Sequence, residues 1–234
     1  GAKVVILGRK AEVGNAIVEN IKAKGGEAMF LVTNVLDEAV LKQNLEDILA
    51  KYGRVDALLN AAGGNMPGAT IAPTGTFFDL KVDEFQKVLN LNLTGTVLPT
   101  QVFLKPMVEQ KKGAIVNFSS MAAFRPMTRV CGYAAAKAGI SNFTAFMAHE
   151  VATKFGEGIR VNAICPGPTM GTELTKNSLS TNPHEEAMLK EHVIPMKKLA
   201  MTQEVVNAVL WLSSDQASHT TGQKIFIDGG MHIA

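Results

Sequence analysis

The chain has 234 residues and a mass of 25.0 kDa, a size that one large α/β domain or two small ones can fill. Hydrophobic residues make up 47% and charged residues 19%, enough apolar surface for a substantial core, which excludes a disordered tail or a collagen-like chain. The formal net charge is only +2 and no basic run is longer than one like Lys111-Lys112, so neither nucleic acid nor an acidic membrane is an expected partner.

Lys3-Leu7 reads as a strand, Glu12-Lys24 as an amphipathic helix closed by Gly25-Gly26, and Glu27-Val32 as a second strand. Asp37-Lys51 is predicted as a helix with Val40, Leu41, Leu45, Ile48 and Leu49 on one face, and Val55-Leu59 as a third strand. A long helix follows from about Val82 to Gln110; Pro99 inside it removes a backbone donor and should kink it. A strand at Ala114-Phe118, a helix at Tyr133-Phe155, a strand at Ile159-Ile164, a helix at Gln203-Leu212 and a strand at Lys224-Ile227 complete the series.

Strands alternating with helices of this length predict parallel βαβ units in one α/β domain, a Rossmann-like doubly wound sheet. Strands as apolar as Ala57-Leu58-Leu59 fit a sheet covered on both faces. Pro166 to Ala200 lacks a clear periodic pattern and is expected to hold a substrate lid, at about 168–200, rather than a domain boundary. Ligands of such sheets bind beyond the carboxyl ends of the strands, where the first strand normally feeds a Gly-rich phosphate turn. No strand here is followed by GxGxxG, and Gly64-Asn65-Met66-Pro67-Gly68 is a poor pyrophosphate cradle because of Pro67 and the lack of an immediate helix.

No apolar run approaches the roughly 18 residues needed to span a bilayer, and the first residues do not follow the order of a signal peptide. The sequons at Asn92, Asn117 and Asn142 each fall inside a predicted helix or strand. Cys131 and Cys165 stand in neither CxxC nor framework spacing, which points to a reduced cytoplasm. His149-Glu150 opens like a zinc-protease motif, but Thr153 occupies the second ligand position, so no metal is expected. A GxSxG elbow is missing as well, and the scattered methionines read as core filler.

The chemistry-bearing set is Ser120, Tyr133 and Lys137. Tyr133 and Lys137 stand four apart on a predicted helix and share a face, while Ser120 lies just past the end of a strand. A phenol, with an ordinary pKa of about 10, is a poor acid or base at neutral pH. An adjacent ammonium favours the phenolate and should bring that value toward the working range. The serine hydroxyl can then hold a substrate carbonyl beside the phenol. Tyr and Lys at this spacing are also common on solvated faces, so the pair needs its company.

That company is ordered along the chain. Asn60-Ala61-Ala62-Gly63 ends the third strand, Asn92-Leu93-Thr94-Gly95 lies in the kinked helix, Arg160-Val161-Asn162-Ala163 leads into Pro166-Gly167, and Ile227-Asp228-Gly229-Gly230 stands near the close. Together with Ser120, Tyr133 and Lys137 these motifs resemble the short-chain dehydrogenase/reductase family over essentially the whole chain. The resemblance implies hydride exchange between a nicotinamide and a carbonyl or secondary alcohol, with Asn92, Ser120, Tyr133 and Lys137 as catalytic residues. Tyr133 would move the proton, Ser120 polarise the carbonyl, Lys137 hold the nicotinamide ribose and lower the phenol pKa, and Asn92 seat a relay water.

The same resemblance places the cofactor against Gly8, Arg9, Asn34, Val35, Asn60, Ala61, Ala62, Gly63, Tyr133, Lys137, Pro166, Gly167, Thr169 and Thr172. Enzymes of this build that take NAD usually put Asp or Glu after the strand that here ends in Gly8-Arg9-Lys10. The Arg9 fork suits a 2′-phosphate, so NADP is the expected cofactor and NAD the alternative; Arg9 and Lys10 could equally be exposed turn residues. Asn34-Val35 stands where the family has Asp-Val beside the adenine, and Asn34 keeps a carbonyl acceptor.

Gly63-Gly64-Asn65-Met66-Pro67, Thr76-Phe77-Phe78-Asp79-Leu80 and Ser119-Ser120-Met121 look like the subgroup described as D-mannonate oxidoreductases or fructuronate reductases, though Gly8 and the lid depart from it. Asn65, Met121, Arg125 and Arg129 are therefore candidate substrate residues, the arginines for a carboxylate. The expectation is a cytoplasmic reductase of a sugar acid or related polyol, assembled as a homotetramer or homodimer through the Asn92-Gln110 helix and the one after Tyr133. The rivals are a 3-oxoacyl carrier-protein reductase and a non-catalytic Rossmann-fold binding protein. In the resembled family a strand, Gly-rich turn and helix, roughly 30 residues, precede a Gly-Ala-Lys-Val-Val-like segment. Its strand sits between the Lys3-Leu7 and Val55-Leu59 strands, so the working protein is expected to carry such an upstream segment.

Overall fold

The computed structural model describes residues 1–126, 129–172 and 183–234. Its elements are β1 (Lys3–Gly8), α1 (Ala11–Ala23), β2 (Glu27–Val32), α2 (Glu38–Tyr52), β3 (Ala57–Asn60), α3 (Val82–Leu89), α4 (Gly95–Gln110), β4 (Gly113–Phe118), α5 (Cys131–Phe155), β5 (Ile159–Pro166), β6 (Thr169–Met170), α6 (Pro183–Met188), β7 (Ala200–Met201), α7 (Thr202–Ser213) and β8 (Lys224–Ile227). Local chemistry sets the ends. The Asp37 carboxylate accepts from Val40 N–H at 3.1 Å to start α2, and Gly53 in the left-handed region (φ 74°) closes it.

Every pairing among these strands is parallel. β3, β4, β5 and β8 form a four-stranded sheet in that order, β1 pairs with β2, and the short β6 pairs with β7. β1 and β3 do not pair with each other, but both belong to one core: Val5, Leu7 and Leu31 pack against the cluster that holds Leu58, Ile115 and Val161. Alternation along β4 covers the sheet on both faces. Ile115 meets Val102, Phe103 and Met107 of α4 and Val151 of α5, whereas Val116 joins Val205, Val209 and Leu212 of α7.

The predicted elements reappear with ends shifted by one or two residues, with two differences. The long predicted helix is not one kinked rod: α3 passes through a π-helical turn at Asn90–Thr94 before α4 begins. Pro99 leaves the Gly95 carbonyl without its helical donor, whereas the π turn closes separately, on the Asn90 carbonyl that takes the Gly95 N–H. The stretch without a clear periodic pattern contains β6, α6 and β7, for which the sequence predicts no elements. Of the expected lid, residues 173–182 lie outside the described residues. Among the described residues no helix is long and apolar enough to cross a membrane.

A seam of buried amides and hydroxyls crosses the core. Asn60 Nδ2 donates to Asn117 Oδ1 (2.8 Å) and Thr100 Oγ1 (2.9 Å), and Asn117 Nδ2 donates to Thr144 Oγ1 (2.9 Å). Asn117 is fully buried near the carboxyl end of β4. Removing its amide strips partners from β3 and α5 at once, a loss of about 2 kcal/mol or more. Asn117→Ala should therefore lower the thermal midpoint by roughly 4–8 °C; a fall of under one degree in a calorimetric scan would show that the seam carries no stability.

Candidate functional site

The carboxyl ends of β1, β3, β4 and β5 carry the residues that the sequence singled out. Ser120 follows β4 in extended conformation, and its Oγ accepts from Ala122 N–H at 3.2 Å to start a short 3₁₀ turn. Its hydroxyl also hydrogen-bonds to the Tyr133 phenol, which projects from the first turn of α5. One turn on, Lys137 is 5% exposed; its Nζ donates to the Phe118 carbonyl at 2.7 Å and stands 5.4 Å from the Tyr133 ring centroid.

Burial governs the titration of this pair. It pushes the Lys137 ammonium down to about 8, because a cation loses hydration there. It pushes the Tyr133 phenol up, an effect that the Ser120 hydrogen bond only partly offsets. The expected lowering of the phenol by its lysine neighbour is not found: desolvation raises it, and the opposing contribution comes from Ser120. The Cys165 thiol behind them is pushed up to about 12, again mainly by burial, so it stays protonated and is no nucleophile.

Asn92 is fully buried in the π turn. Its side chain pairs with the Gly64 peptide in both senses, accepting from Gly64 N–H at 3.0 Å and donating to Gly64 O at 2.8 Å, and donates to Val88 O at 2.9 Å. Its amide thus fixes the loop after β3. Gly63 shows how tightly: a methyl group there would lie 2.5 Å from Asn92 Oδ1 and 3.4 Å from Lys137 Nζ. The Asn60-Ala61-Ala62-Gly63 loop, Asn92 and Lys137 therefore meet at one point.

The outer residues expected to hold a cofactor sit at the same edge. Thr33 N–H donates to Gly8 O at 2.8 Å, joining the ends of β1 and β2. Arg9 is exposed, and no hydrogen bond or ion pair among the described residues holds its guanidinium. Asn34 Oδ1 accepts from Leu36 N–H at 3.2 Å, and Val35 packs where a methyl on Gly95 would be 2.9 Å away. Gly167 comes against Asp228, 2.9 Å from a would-be methyl, while Thr169 Oγ1 donates to Gly167 O (3.0 Å) and Thr172 Oγ1 to Thr169 O (3.2 Å). Pro166 ends β5.

The substrate candidates are more dispersed. Met121 is 1% exposed and packs in a core cluster with Ile194, Leu199 and Met231. Arg125 donates to Met231 O at 2.9 Å and Arg129, at φ 72°, to Ile71 O at 2.6 Å; each ties a loop. Asn65 donates to Thr70 Oγ1 at 2.6 Å, and its buried Oδ1 has no protein partner among the described residues. Sequence reasoning passed over the Phe118 carbonyl, Ser119 and Ser141. Ser141 stands four residues after Lys137 in the buried stripe that includes Ala136 and Ile140; a small polar residue in an apolar stripe was the available signal. Among the described residues no three His, Cys, Asp or Glu side chains gather as a metal site requires.

The family profile described as enoyl-(acyl carrier protein) reductase matches residues 1–232. The "Uncharacterized oxidoreductase UxuB" of Bacillus subtilis (strain 168) is 40% identical over 243 residues, 98% of this chain and 86% of that protein. A 3-oxoacyl-[acyl-carrier-protein] reductase of Synechocystis is 34% identical over 233 residues, 99% of this chain and 87% of its own. Among solved structures, a "putative D-Mannonate oxidoreductase" from Haemophilus influenza with bound NAD has a TM-score of 0.88 at 33% identity, covering 99% of this chain and 86% of that one. A "putative NAD(P) dependent gluconate 5-dehydrogenase" from Beutenbergia cavernae with bound NADP has a TM-score of 0.87 at 29% identity, covering 100% and 88%. Spanning nearly the whole chain at these identities, the likenesses show that it belongs to the short-chain dehydrogenase/reductase family of oxidoreductase enzymes.

Proposed function

We propose that this enzyme is an NAD(P)-dependent oxidoreductase of a sugar acid or related polyol, interconverting a carbonyl and a secondary alcohol. The observation that carries the reaction is the Ser120, Tyr133 and Lys137 cluster at the end of β4, with Gly63 and Asn92 against it. A dinucleotide fits the edge beside it. Asn92 and Asp228 pack so close to Gly63 and Gly167 that neither position admits a side chain, the Lys137 ammonium lies beside Gly63, and Gly8, Arg9, Asn34 and Val35 would face the adenosine. The loop at Asn60, Ala61, Ala62 and Gly63 and the turn at Pro166, Gly167, Thr169 and Thr172 would hold the nicotinamide end. Bound there, the nicotinamide supplies or accepts the hydride.

The chain's own groups manage the proton. Ser120 donates to the substrate oxygen and holds it beside the phenol. Tyr133, kept neutral by burial, gives its proton to that oxygen in reduction and takes it back in oxidation. Lys137 as an ammonium stabilises the phenolate that reduction leaves. Asn92 holds the loop beside them and would seat a water that relays protons to Lys137.

The sugar-acid reading is supported by the solved structures from Haemophilus influenza and Beutenbergia cavernae, whose descriptions name mannonate and gluconate. Arg125 and Arg129 each use one N–H on a backbone carbonyl, and a guanidinium carries five; a substrate carboxylate can take others. Asn65 and Met121 would complete the pocket. A 3-oxoacyl carrier-protein substrate is the second reading, favoured by the Synechocystis relative, and a panel of keto-uronates, keto-sugars and acyl thioesters separates the two. Assembly as a homodimer or homotetramer in the cytoplasm completes the proposal. The apolar groove between α4 and α5, lined by Val97, Leu104, Phe143 and Met147, supports the assembly.

Tyr133→Phe is the direct test of the reaction. It should lower kcat by roughly 10² to 10⁴ with cofactor affinity nearly unchanged; more than a tenth of the wild-type kcat would overturn the assignment. The pH profile follows from the lysine. Lys137 is charged below about 8 and neutral above it, so kcat for reduction should fall as pH rises through that value and kcat for oxidation should climb. Lys137→Arg keeps its charge through this range and should remove the inflection; an unchanged profile would assign the ionisation elsewhere.

Cofactor preference turns on Arg9. Losing a charge-assisted hydrogen bond costs roughly 1.5 to 3 kcal/mol, so Arg9→Ala should weaken NADPH binding by tenfold or more and NADH binding little. Equal losses for the two, measured by fluorescence titration, would make Arg9 an ordinary exposed residue.

A further inference from the structure

We infer that Ser119 and Ser141 are positioning residues for the reaction: their paired hydroxyls clamp the backbone carbonyl of Lys137 and fix where its side chain starts. The inference rests on the reading of Tyr133 and Lys137 as the proton-transfer pair. Ser119 Oγ lies 2.9 Å and Ser141 Oγ 3.1 Å from Lys137 O, and the two hydroxyls are 2.6 Å apart. Both serines are nearly buried, at 4% and 5% exposure. Behind them the Cys165 thiol at the end of β5 hydrogen-bonds to Ser119. One strand end and one helix turn therefore meet at a single carbonyl.

Helix formation does not call for this clamp. The Lys137 carbonyl already has a helical partner in the N–H four residues on, and a serine that bonds back to its own helix slightly weakens it. The flanking stripe positions Ala136 and Ile140 are apolar and fully buried, so packing does not ask for a hydroxyl either. What the clamp adds is a reference point. Phe118 O takes the Lys137 ammonium at 2.7 Å, the next residue, Ser119, takes its backbone carbonyl, and the next, Ser120, bonds to Tyr133. Three successive residues of one strand end thus hold both ends of the lysine and its phenol neighbour. A misplacement of about 1 Å in such a set can cost a hundredfold in rate.

The hydroxyl protons give the clamp a signature. Two protons serve three contacts: one bridges the oxygens and the other goes to Lys137 O, and rotating both hydroxyls exchanges the roles. Either serine alone can still donate to the carbonyl. The Ser119→Ala and Ser141→Ala variants should therefore each lose less than fivefold in kcat. The double variant should lose at least tenfold, more than the product of the single losses, with cofactor Kd within twofold of wild type. It should also shift the pH inflection of kcat, and Ser119→Thr or Ser141→Thr, made singly in the double-alanine background, should restore most of the loss. A double variant within twofold of wild-type kcat would overturn the inference. So would a loss of kcat that follows thermal stability and is not restored by either threonine. Tyr133→Phe is measured alongside: if it keeps its turnover, the proton-transfer reading fails; if it is inactive while the double serine variant is active, only the clamp fails.

Discussion

The site depends on one contact, the hydrogen bond from the buried Lys137 ammonium to the Phe118 carbonyl at 2.7 Å. A cation taken out of water is costly unless it finds a partner, and here the partner is the last carbonyl of β4 rather than a carboxylate. A carboxylate would hold the lysine charged to high pH and spend its field on a permanent ion pair. A neutral carbonyl keeps the lysine in place and leaves its charge free to respond to the phenol. With a pKa of about 8, the ammonium can change state close to working pH.

Burial also settles the division of labour between Tyr133 and Lys137. The adjacent cation, read from the sequence alone, promised a phenol with a lowered pKa. Desolvation acts on both groups, raising the phenol and lowering the ammonium, and so drives both toward their neutral forms. The phenol is thereby a standing acid and the lysine the group that titrates. The sign of an interaction could be guessed from residue types; the balance between charge and burial needed the packing.

Much of the fold was legible because its signals are local. Asp37 and Gly53 cap α2, and β-branched runs mark β1 and β5. The π turn at Asn90–Thr94 was not, because no residue type in that segment marks a wider turn. Ser120, Tyr133 and Lys137 were legible from their spacing together with the ordered motifs around them, since spacing alone is shared with many solvated helix faces. Arg125 and Arg129 were read as candidate carboxylate ligands, while their bonds to Met231 and Ile71 join segments far apart in sequence. No local pattern reports such contacts.

The polar residues of β4 explain why the site forms where it does. Ile115, Asn117 and Ser119 share one face of the strand, turned to α4 and α5. Asn117 bonds to Thr144 of α5, and two residues further Ser119 bonds to Ser141 and to the Lys137 carbonyl. As the strand advances the helix retreats, so the two run in opposite directions with hydroxyls and amides as rungs. A purely apolar contact between helix and sheet can re-form in a shifted register, because the hydrophobic effect is non-directional. Buried hydrogen bonds cannot, since each group that loses its partner costs about 1–3 kcal/mol. The rungs therefore fix the register of α5 on β4, and that register sets Tyr133 opposite the residue that follows the strand, Ser120. Reactive geometry at the strand end is a consequence of polar pairing deeper in the core.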